Sequence, residues 1–214
     1  KFDFELPAAL ATDGARLRVQ YAGGRPVWVA GSTHAGEEDI VLDAHARLAA
    51  DGLDALLVLV PRHPHRFEDV AINLRRRGLD FVRRSRSDAA GPAAQVLLVD
   101  SLGELLSFYA AADIAFVGGS LVPVGGHNLL EPAALGLPIL SGPNTSNAAG
   151  IAGLLIEVGA AYTVHDAAEL ADRVARLLRD SQARRSSGER GRSTVEANRG
   201  ALERLLLLVA PLIE

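Results

Sequence analysis

The sequence predicts an α/β fold, a parallel sheet with helices on both faces, and three observations carry that expectation. Strand-like and helix-like patterns alternate at least five times along the 214 residues, with no internal repeat or low-complexity tract. That order is what βαβ units produce. The strand-like runs, such as ALLVLV at 55–60, are apolar at every position, so both of their faces are expected to be buried. A further run at 114–117 passes directly into a glycine-rich loop and then a helix. In open parallel sheets, ligands sit at such carboxyl ends of strands.

The elements follow in chain order. Residues 1–26 mix charge with Ala and Gly and close on the turn Gly23-Gly24-Arg25-Pro26; they read as an interdomain crossover leading into the domain. Residues 27–30 form a short buried strand. Glu37 to about Asp51 is helical, with Ile40, Ala44 and Leu48 at four-residue spacing. After the strand at 55–60, Pro61-Arg62-His63-Pro64 interrupts the chain before a helix at about 65–77. Short strands follow at 81–82 and 96–99, separated by a polar loop at 83–91. Ser101-Leu102-Gly103-Glu104 has the Ser-x-x-Glu form of a capping box, so a helix is expected to start there and run to about Ala112. The strand at 114–117 and its loop precede a helix over 129–135, and 138–140 is a strand stopped by Gly142-Pro143. Asp166-Ala167-Ala168-Glu169 is a second capping signature, opening a helix to Leu178. Residues 181–193 are polar and rich in Arg, Ser and Gly, closing a domain of 27–193. A last amphipathic helix is expected at about 195–209, within a C-terminal unit of 194–214. Its stripe of Leu202, Leu205, Leu206 and Val209 suits a core or an interdomain seam.

Composition narrows the function. A 5% aromatic content leaves few platforms for stacking bases, and the net charge of −4 gives no basic footprint for nucleic acid. The absence of cysteine excludes disulfides and thiolate metal sites. No apolar run approaches the ~20 residues of a membrane span. The chain opens at Lys1 and contains no methionine, so it reads as a piece of a longer protein. Its opening Lys1-Phe2-Asp3-Phe4 lacks the basic-then-apolar order of a signal peptide.

Four loops at strand ends hold the chemistry. Gly118-Gly119-Ser120-Leu121-Val122-Pro123-Val124-Gly125-Gly126-His127 places four glycines ahead of a helix. Such turns let backbone N–H groups approach a phosphate, unless the glycines serve turn geometry alone. Directly after it, Asn128-Leu129-Leu130-Glu131 offers a helix cap and a carboxylate one turn on, able to accept hydrogen bonds from the vicinal hydroxyls of a ribose. In the second loop, Pro61-Arg62 sets a guanidinium between rigid prolines, where it meets a phosphate or base edge at little entropic cost; a plain surface arginine is the alternative. Leu102-Gly103-Glu104 could bind a base or phosphate through its backbone, or merely cap a helix. Ser32-Thr33-His34, within Gly31 to Glu37, brings hydroxyls and an imidazole to a helix start and favours an anion.

Other chemistries find little support. His63 and His65 lie two apart in a turn, while His34 and His127 stand alone in sequence, and no Asp-x-Asp brings a divalent cation to a diphosphate. There is no Gly-x-Ser-x-Gly elbow, Walker A motif or Gly-x-Gly-x-x-Gly fingerprint.

Taken together, Gly31-Ser32-Thr33-His34-Ala35-Gly36-Glu37-Glu38, Pro61-Arg62-His63-Pro64-His65-Arg66-Phe67, Phe116-Val117-Gly118-Gly119-Ser120-Leu121-Val122 and Gly125-Gly126-His127-Asn128-Leu129-Leu130-Glu131 closely resemble the bacterial 3-deoxy-D-manno-octulosonic acid (Kdo) transferases. Gly142-Pro143-Asn144-Thr145-Ser146-Asn147 resembles a further block of that family, and Lys1-Phe2-Asp3 its interdomain crossover. The match runs in order over nearly the whole chain. It implies a GT-B architecture, two Rossmann-like domains facing across a cleft, of which this chain is the C-terminal, donor-binding one. It implies inverting transfer of Kdo from CMP-Kdo to a lipid A precursor in lipopolysaccharide synthesis, with no metal or other cofactor. Family contacts to CMP map onto Pro61-Arg62, Leu102-Gly103-Glu104 and Asn128-Leu129-Leu130-Glu131; Ser32, Thr33, His34, Gly125 and Gly126 complete the expected donor site.

Two departures are conservative. The family often has Met-Gly-Glu where Leu102-Gly103-Glu104 stands, which keeps the backbone contacts. It often has Asn-Pro-Leu-Glu at 128–131; losing the proline relaxes the first helical turn but keeps Asn128 and Glu131 in register. The resemblance places the catalytic glutamate, the acceptor site and the membrane anchor in an N-terminal domain outside this sequence. The chain itself therefore carries no catalytic residue, and the full-length protein belongs at the cytoplasmic face of the inner membrane. Two alternatives stay open: a Rossmann-like nucleotide-binding module without catalysis, or a GT-B enzyme using a UDP-sugar.

Overall fold

The computed structural model describes residues 2–86 and 94–200. Among them seven strands form one sheet: β1 Val27–Thr33, β2 Leu56–Pro61, β3 Phe81–Arg83, β4 Val96–Leu98, β5 Ile114–Val117, β6 Ile139–Ser141 and β7 Ala161–Thr163. Their spatial order is β3-β4-β2-β1-β5-β6-β7, and every neighbouring pair is parallel. The expected α/β fold is therefore present. All carboxyl ends lie at one edge, with the order switching direction at β1.

The helices are α1 Leu10–Ala22, α2 Glu37–Ala50, α3 Phe67–Arg76, α4 Leu105–Ala110, α5 Leu130–Ala134, α6 Ala149–Glu157, α7 Ala167–Arg179 and α8 Ser181–Asn198. Strand alternation divides them into layers. Trp28, Ala30, Leu57 and Leu59 point to one face, packing with Val41, Leu42 and Leu48 of α2, Val70 and Leu74 of α3, and Leu170 and Val174 of α7. Val27, Val29, Leu56 and Val58 point to the other, against Leu17 and Tyr21 of α1 and Phe108 and Tyr109 of α4. A third cluster joins Val117 and Ile139 to α5, α6 and Val195 of α8. Runs apolar at every position are what this double burial requires.

Several elements differ from their sequence reading. Leu10–Ala22 is a helix rather than plain crossover, anchored by Arg18, whose guanidinium donates to the Ala111 carbonyl and to Asp113, both at 2.8 Å. The capping signature at Asp166 holds: its carboxylate accepts the N–H groups of Ala168 and Glu169 at 2.8 and 2.9 Å. The one at Ser101 does not. There the hydroxyl binds the Glu104 carboxylate rather than a backbone N–H, and α4 begins only at Leu105. The polar stretch from residue 181 is helix α8, capped by Asp180. The polar loop expected at 83–91 is described to Arg86 only, as the end of β3 and a 3₁₀ turn. The last helix expected at 195–209 lies mostly outside the described residues, as does its leucine stripe.

Candidate functional site

The loops after β1, β2, β4 and β5 converge on one cleft of about 370 Å³, lined by Ser32, Arg62, Gly103, Tyr109, His127, Asn128 and Glu131 among others. β2 delivers Arg62: Pro61 is its buried last residue, and the Arg62 N–H donates to the Thr33 carbonyl at 2.9 Å. The guanidinium is exposed, and among the described residues it has no carboxylate partner.

β1 ends with an irregularity in register between Gly31 and Thr33. Ser32 sits there at φ 56°, the only non-glycine residue with positive φ among those described. A left-handed serine costs roughly 1–3 kcal/mol and is held by its surroundings. Thr33 is buried, and its hydroxyl has no hydrogen-bond partner among the described residues. Gly31 lies so close to the Tyr109 hydroxyl that a side chain there would collide with it. Burial, and secondarily the Glu131 carboxylate, push the Tyr109 phenol well above its ordinary pKa, so it stays protonated at the cleft wall.

The glycine-rich loop departs from expectation. Its N–H groups at Gly119, Ser120 and Leu121 do gather on a carboxylate, but that carboxylate belongs to the chain. Glu37, fully buried at the start of α2, accepts them at 2.6, 2.9 and 2.8 Å, and also the His34 N–H at 3.0 Å. Gly118 donates to the Gly31 carbonyl at 2.8 Å, and Gly126 to the Gly119 carbonyl at 2.7 Å. These donors are committed internally. The glycines are needed for close approach: a Cβ on Gly118 would come within 2.6 Å of the Ser32 carbonyl oxygen.

Asn128 and Glu131 form a unit. The Asn128 side-chain Oδ1 accepts the Leu130 N–H at 3.0 Å, and its Nδ2 donates to the Glu131 carboxylate at 3.0 Å. Leu129 and Leu130 between them are core residues, 2% and 3% exposed. At the opposite wall Gly103 lines the cleft, with φ 80°, while Leu102 points to solvent. Glu104 turns away to Arg84, which donates to it at 2.8 and 3.0 Å. Burial opposes ionisation there, but hydrogen bonds from Arg84 and Ser101 hold the Glu104 carboxyl below its usual range.

Histidines remote in sequence meet at the lip. His34 and His127 lie with rings nearly parallel, at 9°, and their Nε2 atoms 2.7 Å apart. His63 approaches His34 edge-on at 5.1 Å between centroids, and His65 stacks on His63. Burial, then His34, Arg62 and His63, drive His127 down to about 4; burial likewise lowers His34, against the pull of Glu37. His127, Asn128 and Gly126 also line a neighbouring cavity of about 320 Å³ with Leu130 and Asn147. Gly125 lines neither cavity; its carbonyl accepts the Asn147 N–H at 2.9 Å. Among the described residues no three His, Asp or Glu side chains are grouped to hold a metal ion.

Of the residues expected at the donor site, Ser32, Arg62, Gly103, Asn128 and Glu131 are thus brought to one cleft, with His34 at its lip beside His127. Sequence alone does not single out Glu37, Tyr109 or His127, because their contacts join segments far apart in the chain.

Comparisons with known proteins bear on the family of the chain. Residues 31–194 match the family model of glycosyl transferases group 1. The chain is 42% identical over its whole length to the 3-deoxy-D-manno-octulosonic acid transferase of Haemophilus influenzae, covering 50% of that protein. It is 40% identical over 96% of its length to the same transferase of Bordetella pertussis, covering 49% of it. The chain therefore spans about half the length of these curated relatives. Among solved structures, the C-terminal CMP-Kdo binding domain of WaaA from Acinetobacter baumannii superposes with a TM-score of 0.82 at 35% identity, over 88% of this chain and 98% of that one.

Proposed function

Since the chain belongs to the group 1 glycosyl transferases, and within them to the C-terminal domain of the Kdo transferases, we propose that it binds CMP-Kdo for transfer of Kdo to a lipid A precursor. The observation that carries this reading is the convergence of Arg62, Gly103, Asn128 and Glu131 on one cleft at the carboxyl edge of a parallel sheet. Such an edge, at the point where strand order reverses, is where α/β folds hold nucleotides.

Each wall has a task. Arg62, exposed and without a carboxylate partner among the described residues, neutralises the phosphate. Glu131, oriented by the Asn128 amide, accepts the ribose hydroxyls. The main chain at Leu102-Gly103-Glu104 meets the cytosine. The N–H groups of Gly119 to Leu121 are not assigned to the phosphate, because Glu37 already holds them. In the reaction, an acceptor hydroxyl attacks the anomeric carbon of Kdo while CMP departs from the opposite face, inverting the configuration. Charge on the departing monophosphate is stabilised by Arg62 and by fixed dipoles, a scheme that calls for no metal. The base, the acceptor site and the attachment to the cytoplasmic face of the inner membrane are assigned to the half of the relatives this chain does not cover. On this reading the 214-residue chain binds CMP and transfers nothing.

An amide NMR titration with CMP, against UMP, UDP and NAD, tests the assignment. Saturable shifts with CMP alone at 61–64, 101–104 and 126–131 are expected. A preference for UDP would favour a UDP-sugar enzyme instead, and the absence of shifts with any nucleotide would overturn the reading. Turnover by the isolated chain would remove the assignment of the base elsewhere.

A further inference from the structure

We propose, resting on the reading that Glu131 accepts the ribose hydroxyls, that the Tyr109 hydroxyl completes this subsite as a hydrogen-bond donor, holding the 2′-hydroxyl between itself and Glu131.

The placement of the ring comes first. Tyr109 belongs to α4, which begins two residues after Gly103 of the cleft lining. Side chains on a helix lean toward its N-terminus, so the ring runs from the core against β1 up to the carboxyl edge. There its oxygen meets Gly31, which pairs with Val117 across β1 and β5. A Cβ at Gly31 would collide with that oxygen. Only glycine leaves the phenol its place.

The hydroxyl is then left over. Tyr109 is 1% exposed, and among the described residues its hydroxyl has no hydrogen-bond partner. The unpartnered side-chain atoms that are wholly enclosed belong there to Thr33, Glu38, Arg66 and Ser141. The Tyr109 oxygen is not one of them, so it opens on the cleft that the residue lines. Leu105 and Val117 beside it are apolar. A phenol in such surroundings forgoes a hydrogen bond that a ligand can restore.

Glu131 lines the same cleft, near enough for its charge to act on the phenol. Burial, and secondarily that charge, keep Tyr109 protonated and therefore able to donate. Asn128 Nδ2 binds the Glu131 Oε1 at 3.0 Å, while Oε2 has no partner among the described residues. Between a phenol that donates and a carboxylate that accepts, the fitting group is one that does both. An alcohol does. A phosphate oxygen would be repelled by the carboxylate, and the exocyclic amine of cytosine cannot accept from the phenol.

Chain order selects the alcohol. Tyr109 comes from the same segment as Gly103, whose main chain is the wall assigned to the cytosine. The 2′-hydroxyl stands on the ribose carbon next to the one that bears the base, so it is the hydroxyl nearer that wall. The 3′-hydroxyl is left to Glu131 alone.

The test crosses a deletion in the protein with one in the ligand. Calorimetry on the 214-residue chain and on its Tyr109→Phe variant measures CMP, 2′-deoxy-CMP and 3′-deoxy-CMP. Y109F is expected to bind CMP and 3′-deoxy-CMP about tenfold more weakly than the wild type, a difference of about 1.4 kcal/mol. With 2′-deoxy-CMP the two proteins should agree within about twofold, because the partner of the phenol is already gone. Equal losses with all three nucleotides would give the hydroxyl a structural role only. No loss with CMP, or a loss that 3′-deoxy-CMP escapes, would take the 2′-hydroxyl away from Tyr109. Each of these overturns the proposal, while CMP binding by the wild type keeps the donor-site reading. Should Y109F fail to fold, proton NMR of the wild type decides. CMP, and not 2′-deoxy-CMP, should protect the Tyr109 hydroxyl proton from exchange, and protection by both or by neither would overturn the proposal. A wild-type chain that binds no CMP would overturn both readings.

Discussion

Glu37 does from within what a bound anion does in many glycine-rich loops: it gives three converging N–H groups a negative charge to bind. Charge-assisted hydrogen bonds are each worth about 1.5–3 kcal/mol. Glu37→Gln keeps the shape but removes the charge, and one amide hydrogen would face the N–H of Gly119, Ser120 or Leu121. We expect E37Q to lower the unfolding free energy by about 3 kcal/mol, read from urea denaturation; a change below about 0.5 kcal/mol would show the loop to be self-supporting. In the cleft, Glu131→Ala is expected to weaken CMP binding by about 1–3 kcal/mol, and an unchanged affinity in a folded variant would reduce Glu131 to a partner of Asn128. Arg62→Ala should weaken CMP binding and flatten its salt dependence; a persistent slope would separate Arg62 from the phosphate. The gathering of Arg62, Asn128 and Glu131 at one cleft is legible in the sequence, because each stands where a buried strand gives way to a turn or a helix start. Glu37 is not: it reads as an ordinary acidic first-turn residue, and its partners in the glycine-rich loop lie more than eighty residues away.

Glycines within helices explain where sequence patterning fails at the level of elements. In α8, Gly188 and Gly191 sit in a segment so rich in Ser and Arg that loop is the natural reading. The helix forms because these glycines let it press on α5 and the turn that follows: a Cβ on Gly188 would overlap the Gly136 carbonyl, and one on Gly191 would touch Ala133 and Ala160. Gly14 plays the same part in α1, where a Cβ would lie 2.7 Å from Ala110. Tertiary contact overrides the ~1 kcal/mol that glycine costs a helix. The glycines of α6 differ, since nothing lies within 4 Å of a Cβ on Gly150 or Gly153. Gly188→Ala should therefore destabilise the fold by about 2–4 kcal/mol, and Gly153→Ala should stabilise it by about 0.5–1 kcal/mol. Thermal unfolding of the two variants checks both signs; equal effects would refute the packing account. Strands at 55–60 and 114–117, apolar throughout, are by contrast readable without any knowledge of their neighbours.

Across the whole molecule, acid should act in two stages. His45 is almost fully buried, accepts the Trp28 indole N–H at 3.4 Å and is held by burial at about 4. Its neutral form is favoured in the native state, while the unfolded chain protonates near its ordinary 6.5. Stability from this residue is therefore complete above about pH 6.5, falls as the pH drops towards 4, and amounts to about 3 kcal/mol. Four carboxylates are held low by hydrogen bonds, Asp39 by Asn73 and Arg77, Glu68 by Arg83 and Arg75, and, against burial, Asp100 by Ser85 and Arg83 and Glu104 by Arg84 and Ser101; they lose their contribution only at lower pH. Urea unfolding at pH 7 and pH 4.5 should show this first loss, and His45→Gln should shrink it; an undiminished loss would assign it elsewhere. Sheet order has a kinetic consequence as well. β1 is flanked by β2, the next strand in the chain, and by β5, which arrives from far along it. Closing that long loop is entropically slow, so the β5 wall carrying His127, Asn128 and Glu131 should join β1 late in folding. A nucleotide then finds no cleft in the folding transition state. It should slow unfolding in proportion to its occupancy and leave the refolding rate untouched.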